Sequence, residues 1–344
     1  MFFRFRPHVI LSGLIGLCIL NSCGADEESK TRKAIADGVH FLTSIQREDG
    51  AICDTTDPLF DIWETIAGAE AIYFGEKDKD DLHWRRAMAF VNNNSNGHGM
   101  ICHNMKCRKS YCLETTAEFL SFQRDIGYNI DNPAMMDSLM ALQDSTGFWS
   151  IGNPDVFEEK NFPSVTGFVL NLIAKAKVDS VQKMRGLNWL LSRQNEEGHW
   201  GTAWEYYGCP AYALWANLRA LSFYNSKEAE AARDRAVKYI LRDQKEDGSW
   251  CYVMPGKKFT PSAELQAALM VISLSESEGN ETESAMEKGI RFILDRQKPD
   301  GSWDGGFFPI DNKRFPKKEY VFATARCIDA LVRWQQIQEG KKNR

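Results

Sequence analysis

The chain has 344 residues, of which 43% are hydrophobic and 26% charged, with a formal net charge of −5. This apolar content suffices for a sizeable core, and 10 Trp and 20 Phe make that core rich in aromatic side chains. The negative charge, with no run of Lys or Arg, argues against nucleic acid as a partner.

Residues 1–22 have the form of a secretory signal, with two arginines ahead of the apolar stretch Val9–Leu20. At about a dozen residues this stretch is too short to cross a bilayer. It ends in LNSC, which resembles the lipobox of bacterial lipoproteins. That resemblance implies cleavage before Cys23, lipidation of Cys23, an acidic tether at residues 23–30, and a lipid anchor in the membrane of the bacterial cell envelope. An ordinary cleaved signal with an accidental cysteine is the alternative.

An internal repeat with a period of about fifty residues runs through the rest of the chain. In the clearest copies a small residue is followed three positions later by an aromatic residue. A Gln follows five residues after the aromatic residue, and a Gly follows four residues after the Gln. In most copies a Trp lies two residues after the Gly. YILRDQKEDGSW and FILDRQKPDGSW are two such copies. The Gln position is occupied in turn by Gln46, Ser95, Gln143, Gln194, Gln244 and Gln297.

Each repeat contains two helical patterns. The first is amphipathic and ends near the Gln. The second is apolar nearly all round and begins near Asp61, Cys112, Pro163, Pro210, Pro261 or Glu319. Six outer and six inner helices close most simply into a two-layer barrel. The sequence therefore predicts an all-α protein, an (α/α)6 toroid at residues 31–338 followed by a basic tail at 339–344. An open α-solenoid is the alternative.

The Gln–Gly–Trp pattern resembles the QW repeat of squalene–hopene cyclases, which belong with terpene cyclases and protein prenyltransferases among the α/α toroids. The resemblance covers about residues 30–338. It implies that the Gln side chain satisfies backbone groups at a helix end and that the Trp ring packs the turn against a neighbouring repeat. It also implies a hydrophobic small molecule, isoprenoid- or lipid-like, as the ligand of the central cavity.

Four carboxylates lie at the starts of inner helices, on the rim formed by the loops that lead there. IWETIA and LETTA place Glu64 and Glu114 in matching positions, while Glu264 and Glu319 start the fifth and sixth inner helices. A carboxylate in a first turn commonly serves the helix terminus. The alternative is acid–base chemistry, with Glu64 and Glu114 facing the cavity. The helix N-termini would also favour an anionic or polar group at this mouth.

Cysteines gather on the same rim. Outside the cytoplasm they predict disulfides that tie the loops, each contributing about 2–4 kcal/mol. Alternatively they form a catalytic site for a Zn-like metal, although the spacing is not that of a CxxC pair. Unrelated buried thiols are the third interpretation. The residues in question are Cys53, Cys102, His103, Cys107 and Cys112.

The acid motif of class II terpene cyclases, D-x-D-D, occurs at Asp78–Asp81, but in a turn on the opposite rim. In the last hairpin, where that family carries its acid, the chain keeps Thr324-Ala325 and only a displaced Glu319. The zinc ligands of protein prenyltransferases have no match in the C-terminal repeats. Two functions therefore stay open, a toroid that binds and transforms a hydrophobic molecule and a non-catalytic binding or scaffolding lipoprotein.

Overall fold

The computed structural model describes residues 12–54, 60–76, 81–96, 99–107, 109–127, 133–152, 161–176, 178, 180–201, 209–253, 260–306 and 320–342. Twelve α-helices occupy this part of the chain, which contains no strand, and so the all-α prediction is confirmed. The outer helices are α1 (Ser12–Ser44), α3 (Leu82–Asn93), α5 (Pro133–Ala141), α7 (Val181–Arg193), α9 (Lys227–Asp243) and α11 (Asn280–Leu294). The inner helices are α2 (Asp61–Gly75), α4 (Leu113–Asp125), α6 (Pro163–Lys175), α8 (Pro210–Leu221), α10 (Ala263–Leu274) and α12 (Val321–Lys342).

The inner helices form a closed ring. Each packs on the next in chain order from α2 to α12, and α12 packs back on α2. All twelve residues of α8 are buried, as expected for a helix that is covered on every side. The (α/α)6 toroid is therefore confirmed, and the open solenoid is excluded.

The repeated glutamines join successive repeats. Nε2 of Gln194 donates to the carbonyl of Gly198 in its own loop (2.9 Å) and to that of Ala232 in the next outer helix (2.8 Å). Ser95 is too short for this bridge and donates to Asn92 in its own repeat. The two bonds of Gln194 are repeated at Gln46, Gln143, Gln244 and Gln297.

The loop tryptophans explain why each repeat begins with a small residue. Trp303 donates its Nε1 to the carbonyl of Ile293 in its own outer helix (2.8 Å), and its ring packs on Gly38 of the first repeat, where a Cβ would lie 3.0 Å away. A Cβ at Gly186 would similarly meet the ring of Trp149 at 2.4 Å. The predicted packing of the Trp ring against the neighbouring repeat is present, and the last repeat closes on the first.

Gly301 is required at the junction between the last repeat and the first. Its φ is +88°, and a Cβ there would lie 2.2 Å from the carbonyl oxygen of Asp37 in α1. Gly127 has a similar φ of +78° but no atom within 4 Å of such a Cβ. Both positions carry the cost of an L-residue in the left-handed region, about 1–2 kcal/mol, and only Gly301 adds overpacking, about 1–3 kcal/mol.

We therefore expect Gly301→Ala to lower the free energy of unfolding by about 3 kcal/mol or more, against about 1 kcal/mol for Gly127→Ala. Urea unfolding of both variants beside the parent measures the difference. Equal losses would mean that the contact with Asp37 does not constrain ring closure.

The N-terminal segment continues into the first outer helix. The predicted boundaries at 22/23 and 30/31 both fall inside α1, and so they stay predictions. Glu28 of the acidic tether pairs with Lys342 of the basic tail (2.5 Å), which is helical as far as that residue. Among the helices of the described segments, none combines the length and apolar character needed to span a bilayer.

Candidate functional site

The starts of the inner helices are covered by the loop of the following repeat. The backbone N–H of Trp63 in α2 donates to the carbonyl of His103 (3.2 Å), and that of Leu113 in α4 donates to Ile151 (2.7 Å). At the junction of the ring, Oδ2 of Asp54 accepts from the N–H of Val321 in α12 (3.0 Å). At these three helices the chain's own acceptors bind the N-termini. At α12 this acceptor is a carboxylate and at α2 and α4 it is a carbonyl, and so the attraction of an anionic or polar ligand to the mouth stays a prediction.

Glu64 and Glu114 are not in matching positions. Oγ1 of Thr65 bonds to Ile52, thirteen residues earlier, while the equivalent Thr116 bonds to Ile101, fifteen residues earlier. Relative to these threonines, Glu114 matches Trp63, and Glu64 is shifted by one residue. The loop before α4 is longer than the loop before α2. For this reason Glu64 and Glu114 occupy different helical positions, although the sequences around them look alike.

The predicted carboxylates have different surroundings. Glu64 is buried, and its Oε2 accepts from the backbone N–H of Asp54 (3.2 Å). Glu264 pairs with Arg296 at 3.6 Å. Glu114 is also buried, and its Oε1 accepts from the hydroxyl of Tyr212 on α8.

This contact joins Glu114 to an aromatic side chain two inner helices further along the ring. A catalytic role for Glu64 or Glu264 stays a prediction. Glu319 lies outside the described residues. Within the D-x-D-D motif, Asp81 is described, and it caps α3 by accepting from the N–H of His83 (2.5 Å).

Five aromatic side chains meet at the centre of the ring, and we call them the aromatic floor. The rings of Trp63 and Phe322 stack with centroids 4.0 Å apart, and Phe322 also contacts Tyr212 and Trp215 at 6.4 and 6.1 Å. Phe168 packs edge-on against Trp215 at 5.1 Å. All five are at most 4% exposed. Such ring faces attract a positive charge, including a carbocation.

A buried ion-pair network lies against this floor. Nη2 of Arg326 binds Oε2 of Glu70 at 2.7 Å, and Arg219 lies 3.7 Å from Glu118. Both guanidiniums also cover the ring of Trp215, at 5.0 and 5.2 Å from its centroid. The network therefore joins α2, α4, α8 and α12 directly beside the aromatic floor.

Glu118 is a carboxyl in this network whose pKa lies near neutral pH. Burial raises the pKa of Glu118 to about 7; Arg326 and Arg219 oppose this rise, and Glu70 and Glu114 reinforce it. About half of the Glu118 carboxyls then carry a proton near neutral pH, as a general acid requires. Glu118 follows Glu114 by one helical turn on α4, so the two carboxyls lie on one face.

Sequence reasoning missed Glu118 and its partners. The signal was present, because charged residues fall in the middle of inner helices that are covered on all sides, at Glu70, Glu118, Arg219 and Arg326. A charge in a fully covered helix needs a partner, and that need predicts an ion-pair network. Which charges pair could not be read, because Glu70 and Arg326 are 256 residues apart in the chain.

The rim cysteines only partly cluster. Cys102 and Cys107 form a disulfide with a Cα–Cα distance of 5.8 Å, and His103 lies beside it. Burial lowers the pKa of His103 to about 4, which keeps the imidazole neutral. Cys53 and Cys112 are buried, take no part in a disulfide within the described segments and lie outside this cluster. Burial raises the pKa of the Cys112 thiol to about 12. The predicted disulfide is therefore confirmed for Cys102 and Cys107, whereas the prediction of one site formed by all five residues is wrong.

Comparison with known proteins agrees with this architecture. A family profile for the squalene-hopene cyclase C-terminal domain matches residues 156–327, half of the chain, and a profile for the prenyltransferase α/α toroid domain matches residues 4–152. The chain belongs to the squalene-hopene cyclase family. The predicted terpene cyclase-like toroid is thereby confirmed.

The curated relatives are much longer proteins. A lanosterol synthase of Aspergillus fumigatus is 35% identical over 113 residues, which cover 32% of this chain and 14% of that protein. A squalene–hopene cyclase of Zymomonas mobilis is 27% identical over 194 residues, covering 52% of this chain and 28% of that protein. The chain therefore spans less than a third of either relative.

The similar solved structures include proteins of comparable length. A type II terpene cyclase from Scytonema has a TM-score of 0.73 at 16% identity, covering 90% of this chain and 98% of that one. Other variants of this cyclase have been solved with geranylgeranyl dihydroxybenzoate as the substrate and with merosterolic acid A as the product. At this identity the likeness establishes the fold alone.

Proposed function

We propose that this toroid binds an isoprenoid in its centre and cyclises it after protonation of a carbon–carbon double bond, with Glu118 as the acid. The observation that carries the proposal is a buried carboxyl with a pKa of about 7 in the ion-pair network whose guanidiniums lie against the aromatic floor. The family membership and the isoprenoid complex of the Scytonema enzyme support the same ligand class.

The step balances within the site. The Glu118 carboxyl transfers its proton to one alkene carbon, and the other carbon becomes a cation. The nearby guanidiniums of Arg219 and Arg326 stabilise the carboxylate that remains, while the aromatic floor stabilises the cation. Ring closure moves the cation along the chain. The last cation then loses a proton to water or to a neighbouring carboxylate.

Glu114 would act through Glu118 and not on the substrate. Because Glu114 is one of the weaker causes that raise the pKa of Glu118, we expect Glu114→Gln to lower the rate at neutral pH by less than about tenfold, the most that one pKa unit would give. Glu64→Gln keeps an acceptor for the N–H of Asp54 and should leave the rate within about twofold. Product formation by both variants and by the double variant tests this. A rate loss in Glu64→Gln alone would restore Glu64 as a catalytic candidate.

A non-catalytic binding or scaffolding protein is the second candidate. The observation that favours it is the packing of the aromatic floor, whose side chains contact one another and are at most 4% exposed. Ligand entry would have to separate them. Incubation with squalene, geranylgeranyl diphosphate and geranylgeranyl dihydroxybenzoate, followed by mass spectrometry, separates the two candidates. A cyclised isomer supports the enzyme, and a ligand that co-purifies unchanged supports the binding protein.

We also propose that the mature protein is a lipoprotein of the cell envelope, anchored to the membrane through Cys23. The basic and apolar start of the chain and its lipobox-like LNSC support this. We expect expression in a bacterial host to give a membrane-bound chain that lacks residues 1–22 and carries acyl groups. Cys23→Ser should remain unprocessed, whereas Cys18→Ser should be processed normally. An unlipidated, soluble parent chain would contradict the anchor.

A further inference from the structure

Two sulfur atoms and one imidazole nitrogen converge on the loop that covers the start of α2. Nδ1 of His103 lies 3.6 Å from Sγ of Cys102 and 3.8 Å from Sγ of Cys107. The three atoms lie within 4.8 Å of one another. These residue types are the ligands that zinc prefers, and their grouping is closer than the sequence spacing alone suggests.

The separations fit a tetrahedral zinc ion. Zinc holds thiolate sulfur at about 2.3 Å and imidazole nitrogen at about 2.0–2.1 Å, which places sulfur and nitrogen about 3.6 Å apart. Both observed S···N distances agree with this value to within a few tenths of an ångström. Only the two sulfurs, which are bonded to each other, must move apart, to about 3.8 Å. Reduction of the disulfide is therefore the main change that the site requires.

The loop holds its position through bonds that do not involve the disulfide. The carbonyl of His103 accepts from Trp63, and the N–H of Met105 donates to Oδ1 of Asp61 (3.1 Å). The imidazole ring also packs against Phe60, with centroids 5.5 Å apart. The nitrogen ligand and the backbone around it are therefore held by contacts that do not depend on the disulfide.

We propose that Cys102, His103 and Cys107 form a redox-controlled zinc site. A dithiol reductant reduces the disulfide with two electrons and two protons, yielding two thiols and becoming a disulfide itself. Zinc then displaces the two thiol protons and binds both sulfurs and Nδ1, and its fourth position takes water or an oxygen ligand. Thiol–disulfide exchange with an oxidised dithiol reverses the process and releases the metal.

For the test, the full-length chain is purified, reduced with a dithiol, freed of reductant and incubated with zinc. We expect the chain to retain about one zinc ion after desalting. With Co²⁺ in place of zinc it should show thiolate-to-cobalt charge-transfer absorption. His103→Phe keeps a ring against Phe60 but removes both nitrogens, and Cys107→Ser removes one sulfur. Each should weaken metal binding by more than the roughly 10- to 100-fold that loss of a supporting contact costs.

Cys251→Ser is the matched control, since Cys251 is exposed and outside the cluster, and it should bind zinc like the parent. Unfolding curves of the metal-free variants confirm that they fold. The oxidised parent should bind no zinc. The proposal is overturned if the reduced parent retains no metal, or if a correctly folded His103→Phe retains it with unchanged affinity and spectrum.

Discussion

Replacement of Glu118 by Gln should lower the rate of cyclisation by about 10²–10⁴-fold, the usual contribution of a general acid. Gln fills nearly the same volume, but its amide is far too weak an acid to protonate an alkene. The variant should still bind the isoprenoid, because the aromatic floor is intact. Steady-state product formation and ligand co-purification measure the two effects separately. An unchanged rate in Glu118→Gln would exclude Glu118 as the acid.

The rate of the parent should also fall as the pH rises through about 7, because the protonated fraction of Glu118 falls. A pH profile of product formation measures this midpoint. Glu114→Gln should shift the midpoint downward, since Glu114 helps to raise the pKa of Glu118. A profile that is flat between about pH 6 and 8 would contradict the assignment.

Folding stability gives a check that does not require a substrate. The folded-state pKa of Glu118, about 7, exceeds the ordinary value of 4.5. The folded state therefore binds more protons between these two values, so the stability from this group is complete below 4.5 and is lost as the pH rises through about 7. The loss is about 3 kcal/mol. Urea unfolding at a series of pH values gives the free energy of unfolding of the parent and of Glu118→Gln. The difference between the two at each pH isolates the contribution of Glu118 from that of other groups.

The second large effect is expected at Arg326. Burial alone would lower the pKa of this guanidinium, but Glu70, Glu118 and Asp329 raise it above its usual value. Arg326→Met removes the charge, keeps most of the stem, and leaves the buried Glu70 without its partner, while Asp329 keeps its pair with Arg333. We expect a loss of about 3–5 kcal/mol in the free energy of unfolding.

An exposed arginine provides the control. Arg291 pairs with Glu27 and Glu287 at the surface, where its side chain is 58% exposed, and so Arg291→Met should cost less than about 1 kcal/mol. Adding Glu70→Gln to Arg326→Met should recover part of the larger loss, because one uncompensated carboxylate is then absent. Equal losses at the two arginines would mean that the central network contributes nothing to stability.

The fold could be predicted from the sequence because the same packing requirements recur in each repeat. The Gln must reach two carbonyls, the loop Gly must pass a neighbouring backbone, and the Trp needs a small residue opposite it. Local deviations were harder to read. The fifth inner helix begins at Ala263 and not at Pro261, because the side chain of Ser262 caps it.

The site was less accessible to sequence reasoning. Glu64 and Glu114 lie in similar sequence motifs, yet loops of different length place them one residue out of register on their helices. The pairing of Glu118 with Arg219 and of Glu70 with Arg326 depends on closure of the ring, which brings distant repeats together. The sequence predicted an acid or base role for Glu114, which stays a prediction, whereas the role proposed for Glu118 depends on burial that only the folded ring provides.

The most direct test of protonation-initiated cyclisation is deuterium transfer. The parent and Glu118→Gln would be incubated with geranylgeranyl dihydroxybenzoate in D₂O, and products analysed by mass spectrometry and NMR. Protonation by Glu118 predicts a cyclised product with deuterium at the alkene carbon that is protonated first, and no such product from the variant. Recovery of the linear compound without deuterium from the parent, with binding intact, would contradict the enzyme and leave the toroid as a binding protein.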